Sequence, residues 1–377
     1  MEEEEMRISM GRKGGNFALS LFLVLFCLGV KALAAEDHKA SVSRGTLYMV
    51  QADGSVFGYG RGNIYLRSTR PLDDEVFRVP GLENIVGIDV GKNHALALDS
   101  DGCIWAWGSN EYDQLGFQEE KIIQAPKRFD GLCGVVDFDS SHYASIVLFE
   151  DKKTVQIWGA DIKDAHQGRK YQLDEPIKKV VSYSISFAIA ESGNVYAWGN
   201  PGSMKGLLGK KDKISWEPKK LDIPCHVKQI DIGVDVIFVC ESGDVYMFGS
   251  NTAGTLGNGN TKPVDRITKH PTLSGIEKIM GAGIRIAKTY NNEYFGWGDQ
   301  LLGPVEWTNS GYITDPEFIK VHDGVVDFYS ENYSIFFIKN NGNVLRLVPE
   351  EHWLFPVKYS LEDYSFQEYQ YKDSYKE

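Results

Sequence analysis

Eight histidines have the widest chemical range of any residues in this sequence, but their spacing predicts no shared site. They stand far apart, at positions 38, 94, 142, 166, 226, 270, 322 and 352. The hydrolase motifs GxSxG, HExxH and SxxK and the phosphate-binding loop are absent. Asp99-Ser-Asp101-Gly102 is similar to the start of a calcium loop, but the later carboxylates are missing. We therefore expect no catalytic residue, no metal, no cofactor and no enzymatic activity.

The cysteines suggest disulfides rather than metal binding, because no CxxC or Cys/His spacing is present. Cys27 lies in an apolar leader, which leaves an even set of four at Cys103, Cys133, Cys225 and Cys240. Four cysteines allow three pairings, of which 103–133 with 225–240 has the lowest cost of loop closure. Four buried free thiols are the alternative.

The N-terminus has the pattern of a secretory signal peptide. Arg12 and Lys13 precede the apolar run 17–30, and the small-x-small sequence Ala32-Leu-Ala34 follows it. The run is shorter than the ~20 residues that a membrane-spanning helix needs. We expect a signal peptide over residues 1–34 and a mature protein that is secreted or in the lumen of the secretory pathway. An uncleaved signal anchor and initiation at Met6 or Met10 remain open.

The body of the chain repeats a glycine turn, a β-rich stretch and an aromatic-glycine pair. The glycines that close six copies stand at positions 60, 108, 159, 199, 249 and 298, and a degenerate seventh copy covers 341–348. An apolar strand, a turn and a second apolar strand precede most copies, as in IVGIDVGKNHALALDSDG at 85–102. A period of 40–51 residues with one aromatic-glycine motif per copy is typical of β-propellers.

The string GKNHALALDSDGCIWAWGSNEYDQLG at 91–116 resembles the regulator-of-chromosome-condensation repeat, and residues 242–260 are similar to its latter part. The resemblance extends over roughly residues 45–350. It implies an all-β, seven-bladed propeller with four-stranded antiparallel blades, here covering residues 36–377. It also implies that His94 ties turns together by hydrogen bonds, with catalysis as the less favoured alternative.

Copy one has only Thr46–Val50 before its glycine turn, so its first strand is missing from the pattern. The tail at 364–371 alternates large and polar residues. We therefore expect the C-terminus to supply that strand and close the ring, which would hide the exposed sheet edges. A disordered tail is the alternative.

Binding is expected on one rim of the propeller, where the turn between the first two strands of a blade and the loop between its last two emerge together. The side chains predicted there are polar and aromatic: Asn93, His94, Asn110, Tyr112, Asp113, Tyr143, Asp235, Asn251 and Arg285. Asn332 begins a glycosylation sequon on the same rim.

The net charge of −12 argues against binding to a phosphate backbone. We expect a monomer with an unknown protein or glycan ligand, no nucleic acid and no stable membrane insertion. The first hypothesis is a secreted, non-enzymatic binding propeller. The second, which the family resemblance implies, is a guanine-nucleotide exchange factor or other regulator of a small GTPase. The third is an enzyme with an active site in the central channel.

Overall fold

A computed structural model describes most of the propeller body and part of the N-terminus. The described residues are 6–12, 15–24, 38–60, 75–116, 121–129, 131–160, 168–202, 204–209, 214–299, 312–319, 321, 324–331, 334–340 and 344–347. They form seven antiparallel blades of four strands, which confirms the predicted all-β propeller. No helix in these ranges is long and apolar enough to cross a membrane.

The strands of each blade are named A to D in sheet order. Blade one consists of β3 Ala40–Ser43, β4 Thr46–Val50, β5 Val56–Gly60 and β6 Glu75–Arg78, and blade two of β7 Ile85–Val90, β8 His94–Asp99, β9 Ile104–Ser109 and β10 Ile122–Arg128. Blade three consists of β11 Val135–Ser140, β12 Ala144–Phe149, β13 Thr154–Gly159 and β14 Arg169–Gln172, and blade four of β15 Ile177–Val181, β16 Ile185–Ala190, β17 Val195–Gly199 and β18 Ser215–Lys220.

Blades five to seven follow the same plan, and an N-terminal hairpin joins the outer edges of the last two. Blade five consists of β19 Val227–Ile232, β20 Asp235–Cys240, β21 Val245–Gly249 and β22 Val264–Lys269, and blade six of β23 Ile276–Met280, β24 Ile284–Thr289, β25 Tyr294–Gly298 and β26 Ile313–Ile319. Blade seven contains β27 Val325–Glu331, β28 Ser334–Lys339 and β29 Val344–Leu347, and the hairpin consists of β1 Met6–Arg12 and β2 Gly15–Val24.

Burial changes from strand to strand because each blade packs face to face between two others. The B strands of blades four and five, β16 and β20, are buried at every position, whereas the outer strand β18 is half-buried or exposed throughout. Trp107, Trp198 and Trp297 are at most 1% exposed. These three aromatic side chains fill space inside the propeller.

The glycine that follows the aromatic residue is required by a close backbone approach. Gly159 has a φ of 120°, and a Cβ at this position would lie 2.1 Å from the carbonyl oxygen of Tyr143. A side chain would therefore force the A–B turn of blade three away from strand β13.

Blade one is complete without the C-terminal tail, which corrects the expectation that the tail supplies its first strand. Ala40–Ser43 pairs antiparallel with Thr46–Val50. Arg44 and Gly45, with φ values of 49° and 79°, form the two-residue turn that favours a hairpin. The segment Ala40–Ser43 alternates small apolar and polar residues over only four positions, which is too short a pattern to predict a strand. The tail at 364–371 lies outside the described residues.

The fourth strand of blade seven comes from the N-terminus. The backbone of β2 pairs antiparallel with β29, with Leu21 opposite Leu347 and Val24 opposite Val344. In this structure the ring is therefore closed with sequence from both ends of the described chain. Part of the predicted leader forms this strand, so removal of residues 1–34, which stays a prediction, would take it away.

Two disulfides confirm the local pairing of the cysteines. Cys103–Cys133 joins the B–C turn of blade two to the segment that enters blade three. Cys225–Cys240 joins the segment that enters blade five to the end of its B strand. Each bond therefore links the end of a B strand or the turn after it to a connection between two blades.

The two disulfides are expected to differ in their effect on stability. They span 30 and 15 residues, so loop-closure entropy predicts losses of about 3.6 and about 3 kcal/mol when each pair is replaced by alanine. Urea unfolding of Cys103→Ala/Cys133→Ala and Cys225→Ala/Cys240→Ala without reductant measures this. Unchanged midpoints for both double variants would contradict the stabilising role.

Candidate functional site

The rim formed by the A–B turns and C–D loops does not expose all of the predicted binding residues. Five of the nine are buried: His94, Asn110, Asp235, Asn251 and Arg285. Four reach solvent to some degree: Asn93, Tyr112, Asp113 and Tyr143. The buried side chains hold turns and blades together, so recognition can use only the other four.

Arg285 clamps blade six to blade five. Its Nε donates to Asp231 Oδ2 at 2.6 Å, and its Nη1 donates to Asp235 Oδ1 at 2.5 Å and to the carbonyl oxygen of Thr255 at 2.6 Å. The guanidinium is fully buried, so it depends on these acceptors in place of water. The Thr255 carbonyl also accepts the indole N–H of Trp297 at 2.8 Å.

His94 has an equivalent role between blades two and three. Its Nε2 lies 3.0 Å from Ser145 Oγ. Burial lowers the pKa of His94 to about 3, so the imidazole is neutral at physiological pH. This supports the structural interpretation of His94.

Asn110 and Asn251 organise the C–D loops of blades two and five in the same way. Each side-chain oxygen accepts the backbone N–H five residues further along, at 2.9 Å from Leu115 and 2.9 Å from Leu256. The amides are therefore occupied with folding their own loops. Neither asparagine is presented to a partner.

The Asp99 carboxylate is likewise used inside the protein. Its Oδ1 accepts the Cys103 N–H at 2.9 Å, and its Oδ2 accepts Arg128 Nε at 2.8 Å and Trp105 Nε1 at 3.0 Å. The similarity to a calcium loop thus reflects a hairpin turn. Among the described residues no group of three potential metal ligands comes together.

Asn332, the first residue of the predicted glycosylation sequon, lies outside the described residues.

The exposed side chains of the rim form an aromatic row across blades two, three and four. The ring centroids of Tyr112 and Tyr143 are 4.8 Å apart, those of His142 and Tyr143 6.0 Å, and those of His142 and Tyr183 5.4 Å. Tyr112 is 47% exposed and Tyr143 38%. We call these four residues the aromatic rim.

Positive charge adjoins the aromatic rim. Lys92 Nζ lies 3.4 Å from Tyr143 Oη and 5.5 Å from the centre of the ring. Burial, followed by the nearby Lys92 and Arg44, lowers the pKa of His142. The imidazole therefore adds a polar but uncharged group at neutral pH.

A pocket of about 290 Å³ lies directly beside the aromatic rim, between blades three and four. We call it the inter-blade pocket. Its walls come from two A–B turns and from the C and D strands of both blades: Ser141, His142, Tyr143, Ala144, Ile157, Ala160, Tyr171, Tyr183, Ser184, Ser186, Trp198, Gly199, Asn200 and Trp216. Sequence reasoning missed the pocket because Tyr171 belongs to blade three and both Trp198 and Trp216 belong to blade four, so they meet only after folding.

The fold is a seven-bladed propeller with a row of aromatic side chains on one rim. A family model described as the regulator of chromosome condensation (RCC1) repeat matches residues 85–114, and a second with the same description matches 101–148. These matches fall on blades two and three. The matched segments are therefore similar to regulator-of-chromosome-condensation repeats.

Two curated relatives show the range of proteins that share these repeats. The guanine nucleotide exchange factor SRM1 of Saccharomyces cerevisiae is 26% identical over 317 residues, which is 78% of this chain and 62% of SRM1. The human E3 ubiquitin-protein ligase HERC2 is 28% identical over 252 residues, 60% of this chain and 5% of HERC2. The chain thus spans about three fifths of SRM1 and a small part of HERC2.

Solved structures show the same fold. Prp20p of Saccharomyces cerevisiae has a TM-score of 0.65 at 17% identity and covers 83% of this chain and 82% of its own. Human WBSCR16 has a TM-score of 0.65 at 18% identity, and the match covers 92% of this chain and 99% of the WBSCR16 chain. At these identities the likeness establishes architecture alone.

The comparisons correct two expectations. The first is the prediction of no enzymatic activity. It is contradicted by the curated relatives, which include a guanine nucleotide exchange factor and a ubiquitin-protein ligase. The expected partners, an unknown protein or glycan and no nucleic acid, are also corrected: Prp20p is described with binding properties to Gsp1p and histones, and in a complex with Kap60.

Replacing Arg285 by alanine should leave two carboxylates buried without a counter-charge. We expect the free energy of unfolding to fall by about 3–5 kcal/mol. Arg169→Ala is the control, because its ion pair with the largely exposed Glu217 should contribute about 1 kcal/mol or less. Equal losses in urea unfolding of the two variants would show that Arg285 is not a clamp.

Proposed function

We propose that this propeller binds a small GTPase and promotes the release of its nucleotide. The observation that carries the proposal is the 317-residue similarity to SRM1, a guanine nucleotide exchange factor. It extends over most of the chain, whereas the two repeat matches reach only blades two and three. The similarity favours a regulator of a GTPase over a glycan-binding propeller.

The aromatic rim supplies the surface for such a partner. Tyrosine and tryptophan give large contact area with little loss of side-chain entropy, and they are enriched at protein interfaces. Tyr112 and Tyr143 are exposed on adjacent blades and contact each other. Lys92 beside them adds a positive charge, although the protein as a whole carries −12.

Exchange follows if the rim binds the nucleotide-free GTPase more tightly than the nucleotide-bound form. The coupling is reciprocal, so a rim that prefers the empty GTPase weakens nucleotide binding by the same factor. A rim with fixed turns suits this purpose, and the buried contact of 3.0 Å between His94 Nε2 and Ser145 Oγ joins blades two and three, which carry part of the aromatic rim. No group on the propeller needs to react chemically.

Purified protein should accelerate the release of fluorescent GDP from at least one member of a small-GTPase panel that includes Gsp1p. We expect roughly a tenfold acceleration or more, equivalent to a barrier lowered by about 1.4 kcal/mol. Tyr112→Ala/Tyr143→Ala should remove most of it. Intrinsic rates throughout the panel would overturn the proposal.

Tyr290→Ala is the matched control for these substitutions. Tyr290 is 55% exposed and follows the B strand of blade six, so it lies on the opposite rim. It should leave the exchange rate unchanged. An equal loss with Tyr290→Ala would move the binding surface away from the aromatic rim.

The compartment is a separate proposal that competes with the exchange proposal, because a protein in the lumen of the secretory pathway would not meet a cytosolic GTPase. Two disulfides in the body of the propeller favour an oxidising environment, since such bonds are rare in the cytosol, and the leader pattern at 1–34 points the same way. We propose that the protein passes through the secretory pathway. Non-reducing peptide mapping of protein from its source should find both linked peptides and an N-terminus near residue 35; free thiols with an intact leader would refute this.

A further inference from the structure

The inter-blade pocket contains two buried polar groups that have no hydrogen-bond partner. Tyr171 is 7% exposed and Trp198 is 1% exposed, and both line the pocket. Within the part of the chain that the structure describes, Tyr171 Oη and Trp198 Nε1 find no acceptor or donor. Buried polar atoms are nearly always paired, and an unpaired pair beside a cavity marks a place where a bound ligand or water supplies the partner.

The corresponding tryptophan of blade six shows what is missing. Trp297 Nε1 donates to the carbonyl oxygen of Thr255 at 2.8 Å. Trp198 holds the same place before its repeat glycine, and among the described residues its N–H, like that of Trp107 in blade two, finds no acceptor. Because an indole N–H is only a donor, the ligand must bring an acceptor.

The positive charge beside the pocket disfavours a cationic ligand. Among the described residues the lining includes no aspartate, glutamate, lysine or arginine, and the Arg169 guanidinium lies over two of its rings, 5.3 Å from the centre of Tyr171 and 5.7 Å from that of Trp216. Lys92 and Arg44 lie close enough to lower the pKa of His142, after burial, so a second positive charge would be repelled. The remaining wall is largely aromatic, with Tyr171 and Trp198 in contact at 5.4 Å between ring centroids.

The size of the pocket fits one aromatic side chain. About 290 Å³ is at the lower end of the 300–1,000 Å³ typical of sites for drug-sized molecules. The pocket shares Tyr143 and Tyr183 with the aromatic rim, so a partner on the rim can insert a residue into it. Such a buried aromatic anchor is the usual centre of a protein interface.

We propose that the inter-blade pocket binds an aromatic side chain of the partner protein, together with a carbonyl oxygen of that residue's backbone. This deepens the proposed function and rests on it for the identity of the partner. The ring packs between Tyr143, Tyr183 and Trp216, and the carbonyl accepts the N–H of Trp198. The hydroxyl of Tyr171 donates to the same group or to the adjacent carbonyl.

The probe is N-acetyl-5-fluoro-L-tryptophanamide, which carries both the ring and the backbone carbonyls, observed by fluorine NMR. We expect saturable binding in the millimolar range, and weaker binding of 5-fluoro-3-methylindole, which has the ring without a carbonyl. Tetramethylammonium should not displace the probe. Equal affinity of the two fluorinated ligands, or displacement by tetramethylammonium at lower concentration than unlabelled N-acetyltryptophanamide, would overturn the proposal.

Ser184→Phe should close the mouth of the pocket and abolish probe binding. Ser184 is exposed in the A–B turn of blade four. Val234→Phe places the same ring at the matching turn position of blade five, outside the pocket, and should bind the probe like the wild type. Loss of binding in both variants, or in neither, would contradict the assignment.

Tyr171→Phe separates a ligand-binding role from a structural one. Its hydroxyl has no partner to lose, so the urea midpoint should stay unchanged or rise. Probe binding should nevertheless weaken about fivefold, as expected for the loss of one neutral hydrogen bond. A lower midpoint with unchanged binding would show that the hydroxyl serves the fold.

The probe experiment contains no GTPase, so its outcome does not depend on the exchange assay. Probe binding without exchange activity would leave the pocket assigned and the GTPase proposal refuted. Exchange activity with no probe binding would refute the pocket and leave the GTPase proposal standing. Exchange by the Ser184→Phe variant at the wild-type rate would refute the anchor role.

Discussion

Several neighbouring blades are held together through their inner strands, where a side-chain oxygen of one blade accepts a backbone N–H of the following blade. Asp89 Oδ2 accepts the N–H of Ser140 at 2.6 Å, and Asp137 Oδ2 accepts that of Val180 at 2.6 Å. Gln229 does the same for blade six, through the N–H of Ile279 at 3.0 Å. These bonds tie separate four-stranded sheets into one ring.

Ring closure uses the same kind of contact. Glu331 of blade seven accepts the N–H of Arg44, in the A–B turn of blade one, at 2.9 Å. Burial raises the pKa of Glu331 to about 7. With both ends joined, the rim turns keep fixed distances from one another, and the aromatic rim and the inter-blade pocket share one rigid frame.

The repeat pattern was enough to predict the architecture, because each glycine turn and aromatic-glycine pair is a local signal. It also gave the local cysteine pairing, since loop closure depends only on distance along the chain. The first strand of blade one escaped detection because Ala40–Ser43 offers only four residues of alternation. The fourth strand of blade seven escaped because strand pairing between 15–24 and 344–347 has no local signature.

The site was only partly predictable for a related reason. Residue type correctly placed Tyr112 and Tyr143 on the rim, but it could not distinguish them from Asp235 and Arg285. The charge of Arg285 suggests a surface, yet two aspartates of a neighbouring blade hold it fully buried. Burial of a charged group is set by partners distant in sequence, and so is the meeting of Tyr171 with Trp198.

Hydrogen–deuterium exchange of the propeller with and without nucleotide-free Gsp1p tests the location of the recognition surface most directly. The account predicts slower exchange in the turns at 141–143 and 182–184, which carry the aromatic rim and border the pocket. It predicts no change in the B–C turns at 191–194 and 241–244 on the opposite rim. Protection confined to those B–C turns, or no protection anywhere, would contradict it.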